Sequence, residues 1–136
     1  MVPFDASINM PNMWTHFKLH EFDSPDKPGS GARMDKEFLD MLDAARSIAG
    51  VPFLITSGYR TPAHQKALKA QGKKTSDNSS HLIGKAADIA CRHSSSRFRI
   101  VAALIAAGFT RIGIGTTFIH VDNDSVKTPG VAWLYG

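Results

Sequence analysis

The sequence of 136 residues lacks several features that define large classes of proteins. Its single cysteine, Cys91, excludes an internal disulfide framework and a cysteine-rich zinc site, so a bound metal would have to use histidine and carboxylate ligands. No apolar run approaches the ~20 residues that a membrane-spanning helix needs. The first residues contain neither a basic leader nor the apolar segment of an export signal, so we expect synthesis in the cytoplasm without a signal peptide.

Composition and charge point to an ordinary globular protein. The chain is 43% hydrophobic and 21% charged, and its length predicts one domain spanning residues 1–136. A net charge of +4 favours encounter with an anionic polymer. The basic residues are spread along the chain, however, and only Lys73 with Lys74 and Arg97 with Arg99 lie close together. We therefore expect no nucleic-acid partner.

The pattern of apolar residues predicts an α+β fold with mixed helices and strands. Residues 1–34 hold four of the seven prolines and are predicted to form an arm packed on the domain through Trp14, Phe17 and Phe22. Helices are predicted at 35–49, from Pro62 to about residue 70, and from a cap at Ser95 or Ser96 to near Gly108. Strands are predicted at 52–57 and 86–91, followed by a final hairpin of residues 111–114 and 118–122.

Two histidines and an aspartate carry the main chemical signal. The segment SSHLIGKAADIA places His81 on a loop and Asp88 on a strand, with Gly84 permitting a bend between them. In FIHVD, strand alternation turns Phe118, His120 and Asp122 to one face while the intervening residues enter the core. A lone histidine of this kind is usually a capping or surface residue. Together, two imidazoles and a carboxylate leave a fourth position for water, as in catalytic zinc sites.

The order of these residues resembles that of the M15 peptidases, which include D-alanyl-D-alanine carboxypeptidases and L-alanyl-D-glutamate endopeptidases. The family pattern SxHxxGxAxD, followed later by a histidine on a strand, is matched here by Ser79, His81, Gly84, Ala86, Asp88 and His120. The segments HFKLHEF, SGYRTP and GFTRIGIGTTFIHVD extend the similarity over most of the chain. The resemblance implies a central antiparallel sheet flanked by helices, as in the signalling domain of hedgehog proteins.

The same resemblance implies site residues. Zinc would be held by His81, Asp88 and His120, and Arg60 and Ser79 would match substrate-binding positions. The planar fork of Arg60 suits a substrate carboxylate, although a purely structural arginine is the alternative. Relatives often carry an acidic general base three residues before the last histidine, where this chain has Thr117.

Asp122 is the predicted general base, because it follows His120 by two residues on the same strand face. A role in supporting the metal ligand or in a salt bridge is the alternative. His64, His93 and Asp77 are the other titratable groups expected near the cleft.

These features predict a monomeric zinc peptidase that cuts peptidoglycan stem peptides at either D-Ala-D-Ala or L-Ala-D-Glu. The alternative is a catalytically inactive zinc-bound domain that binds cell wall or protein, since fold alone does not fix function. Without an export signal, the protein would reach the wall through a pore, as a phage lysin does, or as part of a particle or secretion apparatus.

Overall fold

Three helices and five strands form the regular structure of the residues that the computed structural model describes, 14–73 and 75–135. The helices are α1 (Lys36–Ala49), α2 (Pro62–Ala70) and α3 (Ser94–Ala106). The strands are β1 (Ile55–Ser57), β2 (Ala86–Ala90), β3 (Arg111–Ile114), β4 (Phe118–Asp122) and β5 (Val131–Leu134). Short 3-10 turns lie at Leu19–Phe22, Ser30–Arg33 and Ser80–Ile83. The α+β class is confirmed.

The strands form one sheet in the order β1-β2-β4-β3-β5. The first four are antiparallel to their neighbours, and β3 and β4 form the predicted hairpin. The sheet is mixed rather than entirely antiparallel, because β5 runs parallel to β3. After β4 the chain crosses residues 123–130 and returns beside the outer edge of β3, adding a strand that the sequence analysis did not predict.

Side-chain caps mark the starts of α1 and α2, whereas α3 has no side-chain cap and begins earlier than predicted. Asp35 accepts a hydrogen bond from the Phe38 backbone N–H at the start of α1, and Thr61 does the same for His64 at the start of α2. Helix α3 begins at Ser94 with His93 as its uncapped N-terminal neighbour, so the prediction of a Ser95 or Ser96 cap is wrong. The extended backbone of His93 leads directly from β2 into the helix. Of the helices in the described ranges, none is long and apolar enough to cross a membrane.

The two faces of the sheet have different surroundings. Ile89, Ile119 and Val121 belong to the hydrophobic core together with residues of α1 and α3, such as Leu42 and Leu104. Asp88 on β2 and Phe118, His120 and Asp122 on β4 alternate with these core residues, face the opposite side of the sheet and line an open cleft. Strand alternation therefore separates the core from the chemical site.

The described part of the N-terminal arm, residues 14–34, packs against the rest of the chain. Trp14 Nε1 donates to Asp40 Oδ1 at 2.9 Å, and the Phe17 and Phe22 rings meet edge to face at 5.5 Å. All three aromatic side chains are buried. The portion of the arm before Trp14 lies outside the described residues, and the division into a single domain with an arm stays a prediction.

Candidate metal centre and active-site cleft

His81, Asp88 and His120 come together although they belong to three different elements. His81 lies in the turn Ser80–Ile83, whereas Asp88 and His120 are direct cross-strand partners on β2 and β4. One potential ligand atom from each residue lies within 4.8 Å of the other two. His81 and His120 are both buried. The sheet register thus fixes two members of the group, and the turn supplies the third.

The donor atoms converge on one oxygen. His120 Nδ1 lies 2.9 Å and His81 Nε2 lies 3.4 Å from Asp88 Oδ1. Two imidazole nitrogens and a carboxylate oxygen are the chemistry that a catalytic zinc site uses, with one position left for water. The donor set therefore fits a divalent metal of this kind.

The outer nitrogen of each histidine is held by a hydrogen-bond acceptor. His81 Nδ1 lies 2.7 Å from the Gly58 carbonyl oxygen, and His120 Nε2 lies 2.8 Å from Asp122 Oδ2. An acceptor at the outer nitrogen places the proton there and leaves the inner nitrogen as a lone-pair donor. Both imidazoles are thus oriented for metal binding before a metal arrives.

Burial and hydrogen bonds shift the acidities within the group. Burial would raise the pKa of Asp88, but hydrogen bonds with His120 and His81 outweigh burial and hold it well below its usual range. Burial lowers the pKa of His81. Burial also opposes the charged form of His120, yet hydrogen bonds to Asp122 and Asp88 raise the pKa of that imidazole above its usual value. In the metal-free protein, His120 therefore stays protonated to a higher pH than His81 does.

Asp122 is engaged on both carboxylate oxygens. Oδ2 pairs with His120, while Oδ1 accepts from Arg111 Nε at 2.8 Å and from the Asp124 backbone N–H at 3.2 Å. Its side chain is 1% exposed. These contacts place Asp122 at the side of the imidazole away from Asp88, which is the geometry of a carboxylate that supports a ligand. The general-base role of Asp122 stays a prediction.

Neither Thr117, which stands where relatives carry the base, nor the remaining base candidates Asp77, His64 and His93 line the cleft. Thr117 is exposed in the turn before β4, and its carbonyl accepts from the Cys91 backbone N–H. Asp77 is paired with Lys69 at 2.6 Å on the surface, His64 lies on α2, and His93 precedes α3. Among the described residues, the only acidic side chains that line the cleft are Asp88 and Asp122.

Arg60 and Ser79 both reach the same cleft, which has a volume of about 310 Å³. Arg60 Nη2 lies 3.6 Å from Asp88 Oδ2, and its Nε donates to Ser57 Oγ at 3.1 Å. The hydroxyl of Ser79 accepts from the His81 backbone N–H at 3.3 Å. Burial lowers the pKa of Arg60, yet a guanidinium keeps its charge at neutral pH. The cleft therefore combines a cation with the candidate metal ligands.

Among the cleft residues that were not predicted as site residues, several add charge or aromatic rings. Arg111 and Lys127 add positive charge, and Trp133 and Tyr135 add aromatic rings. The Trp133 ring lies 5.6 Å from the His120 ring and 5.0 Å below the Arg111 guanidinium. The short apolar run VAWLY, with its β-branched and aromatic residues, was the available signal for a strand, and strand geometry turns Trp133 and Tyr135 to one face.

A His-Asp-His donor set beside an open cleft in an α+β fold is the arrangement that single-metal hydrolytic centres use. A family model described as Peptidase M15 matches residues 12–122, and the chain belongs to this family. The match includes every site residue predicted from the sequence and ends before β5. Family membership places the chain among the peptidases. Comparison with curated proteins found no match.

Proposed function

We propose that this protein is a zinc-dependent metallopeptidase that hydrolyses a stem-peptide bond of peptidoglycan, either D-Ala-D-Ala or L-Ala-D-Glu. The convergence of His81, Asp88 and His120 at one point of an open cleft is the observation that carries the proposal. Membership of a peptidase family supports hydrolysis of a peptide bond.

The three converging residues would hold the zinc ion. When bound, zinc lowers the pKa of a water molecule toward ~7 and polarises the carbonyl that is attacked. The Gly58 carbonyl and Asp122 keep both imidazoles in the orientation that ligation requires. Asp122 is assigned this supporting role ahead of the general-base role, because both of its oxygens already accept hydrogen bonds.

Arg60 and Ser79 would bind the substrate. Arg60 is held by Ser57 and by Gln65 Oε1 at 3.3 Å, so its guanidinium is oriented before a substrate arrives. A fixed guanidinium suits the terminal or side-chain carboxylates of a stem peptide. The Ser79 hydroxyl lines the same cleft and can donate its own proton to a substrate carbonyl.

The basic surface suits an anionic cell-wall polymer, and a phage lysin is one form in which such an enzyme reaches the wall. We propose that the enzyme acts as a monomer.

A second candidate is a zinc-bound domain that binds cell wall without cutting it. One observation favours it: the two acidic side chains in the described part of the cleft are both engaged in hydrogen bonds or ion pairs, so neither is free to act as a base.

Digestion of purified peptidoglycan, with mass analysis of the products, separates the two. New stem-peptide ends that disappear in the His81→Ala, His120→Ala double variant support the enzyme and identify the bond. Binding to peptidoglycan with no cleavage by the zinc-loaded wild type supports the second candidate.

A further inference from the structure

A pair of aromatic side chains, Trp133 and Tyr135, forms one wall of the cleft; we call it the β5 wall. The two residues alternate along β5 and its end, so they face the same side of the sheet as His120. The Tyr135 ring lies 4.9 Å from the Phe118 ring and 6.5 Å from the His120 ring. The wall lies beyond the residues that match the family model.

Gly113 of β3 makes room for the β5 wall, and Gly115 in the following turn makes room for the neighbouring Phe118 ring. A Cβ at Gly113 would stand 2.6 Å from Tyr135 Cε2 and 2.7 Å from Trp133 Cε2. A Cβ at Gly115 would stand 2.3 Å from Phe118 Cε1. Glycine in a strand often marks such a close approach. The segment RIGIG is therefore shaped to seat the aromatic rings against the sheet.

The Tyr135 phenol can supply a hydrogen-bond donor to the cleft. Burial raises the pKa of Tyr135, so the phenol keeps its proton at neutral pH. A protonated phenol carries an O–H that can donate a hydrogen bond. Tyr135 is 43% exposed and lines the cleft with Arg60 and Asp88, so a bound peptide can reach the hydroxyl.

Hydrolysis of a peptide is accelerated by such a donor. Water adds to the carbonyl carbon, the carbonyl oxygen gains negative charge, and the C–N bond then breaks while the leaving nitrogen takes up a proton. A neutral O–H aimed at that oxygen stabilises its charge in the transition state more than in the bound substrate.

We propose that Tyr135 is a catalytic residue that donates a hydrogen bond to the carbonyl oxygen of the scissile peptide as that oxygen becomes negative. The proposal rests on the proposed peptidase function and adds a residue to it. The neighbouring Phe118 ring and the space left by Gly113 hold the Tyr135 ring in place.

The test compares Tyr135→Phe with Tyr59→Phe, which removes the hydroxyl of the other tyrosine, outside the cleft. For Tyr135→Phe we expect kcat to fall by roughly 10- to 100-fold with little change in KM, because one transition-state donor is lost. Zinc content and melting temperature should equal those of wild type. Tyr59→Phe should keep wild-type kcat. Gly113→Ala, which keeps the phenol but displaces the wall, should also lower kcat while zinc is retained.

A second readout is independent of turnover. Phosphinate analogues of D-Ala-D-Ala and L-Ala-D-Glu carry a tetrahedral centre with charged oxygens, and calorimetry measures their binding. Tyr135→Phe should weaken the better analogue by roughly 10-fold or more relative to wild type. Unchanged kcat and unchanged phosphinate affinity would overturn the proposal, as would a rise in KM alone. If wild type cleaves no wall peptide, the proposed function fails and the catalytic role of Tyr135 fails with it, whereas cleavage by wild type with unchanged kcat and phosphinate affinity in Tyr135→Phe overturns the Tyr135 proposal alone.

Discussion

Arg60 joins the cleft through contacts that a lysine cannot reproduce. Its guanidinium contacts Ser57, Gln65 and Asp88 at the same time. We predict that Arg60→Lys lowers kcat/KM by roughly 10-fold on a peptide with a free carboxylate near the cut, because a point ammonium cannot form two parallel hydrogen bonds. Steady-state kinetics measure the effect, and Arg99→Lys on the exposed side of α3 is the matched control. Unchanged catalytic efficiency, or an equal loss in the control, would reduce Arg60 to a structural role.

Both carboxylate oxygens of Asp122 already accept hydrogen bonds from neighbouring groups, so Asp122 differs from a free general base. We predict that Asp122→Asn weakens zinc binding by roughly 10- to 100-fold, because the amide no longer accepts the His120 proton with a full negative charge. A competitive zinc-indicator titration measures this directly. Asp124→Asn, which alters a nearby buried carboxylate paired with Ser80 and Lys127, is the control. Unchanged zinc affinity with turnover reduced by roughly 100-fold would instead restore Asp122 as the base.

At the scale of elements, the turn that carries His81 depends on a glycine. Gly84 ends the turn with a φ of 70°, and a Cβ there would stand 2.4 Å from the Arg33 carbonyl oxygen. Its own carbonyl accepts from the Asp35 backbone N–H at 2.9 Å, which ties the turn to the start of α1. The glycine in the family pattern therefore has a physical cause: left-handed backbone packed against another segment.

Gly84→Ala should destabilise the protein more than Gly50→Ala. Gly50 ends α1 with a similar φ of 67°, but nothing lies within 4 Å of a Cβ there. We predict that Gly50→Ala lowers the free energy of unfolding by roughly 1 kcal/mol, from backbone strain alone. Gly84→Ala should lower it by roughly 3 kcal/mol or more, because a backbone clash is added. Urea unfolding of the two variants measures the difference. Equal losses in the free energy of unfolding would show that the backbone moves away from the Arg33 carbonyl without further destabilisation.

Local patterns were sufficient for most elements of this chain. The helix at 35–49 had both a capping aspartate and a terminal glycine in its sequence, and the hairpin of β3 and β4 had alternation on both sides of a turn. Strand β5 was missed because it is short and pairs in parallel with a strand distant in the chain, a non-local partnership that no local pattern reports. The start of α3 was misplaced because serine propensity was weighed above the direction in which β2 delivers the chain.

The candidate site was predictable to a similar degree. Strand alternation was enough to place His120 and Asp122 on the cleft face, away from Ile119 and Val121. The sequence could not reveal that Asp122 pairs with Arg111 and His120, because those bonds depend on strand register and on side-chain rotamers. The β5 wall was missed together with β5, because the run VAWLY indicates a strand but not its pairing with β3 beside the cleft.

At the scale of the whole molecule, zinc binding and folding should be coupled. The three candidate ligands come from a turn and two strands, so the unfolded chain cannot present them together. Zinc at 100 times its Kd would stabilise the folded protein by about 2.7 kcal/mol. A chelator should therefore lower the melting temperature of a zinc-loaded sample.

The zinc-dependent gain in melting temperature should increase with pH. In the metal-free protein the pKa of His120 is raised, so its protonation contributes stability that is full below the unfolded pKa of ~6.5 and is lost as pH rises through the folded pKa. Zinc binding must displace that proton, so the stability that zinc contributes increases as pH rises. We predict a larger gain at pH 8 than at pH 6, measured by scanning calorimetry with zinc and with chelator. The His81→Ala, His120→Ala double variant should show no gain at either pH, whereas a gain in wild type that is equal or larger at pH 6 would contradict ligation by His120.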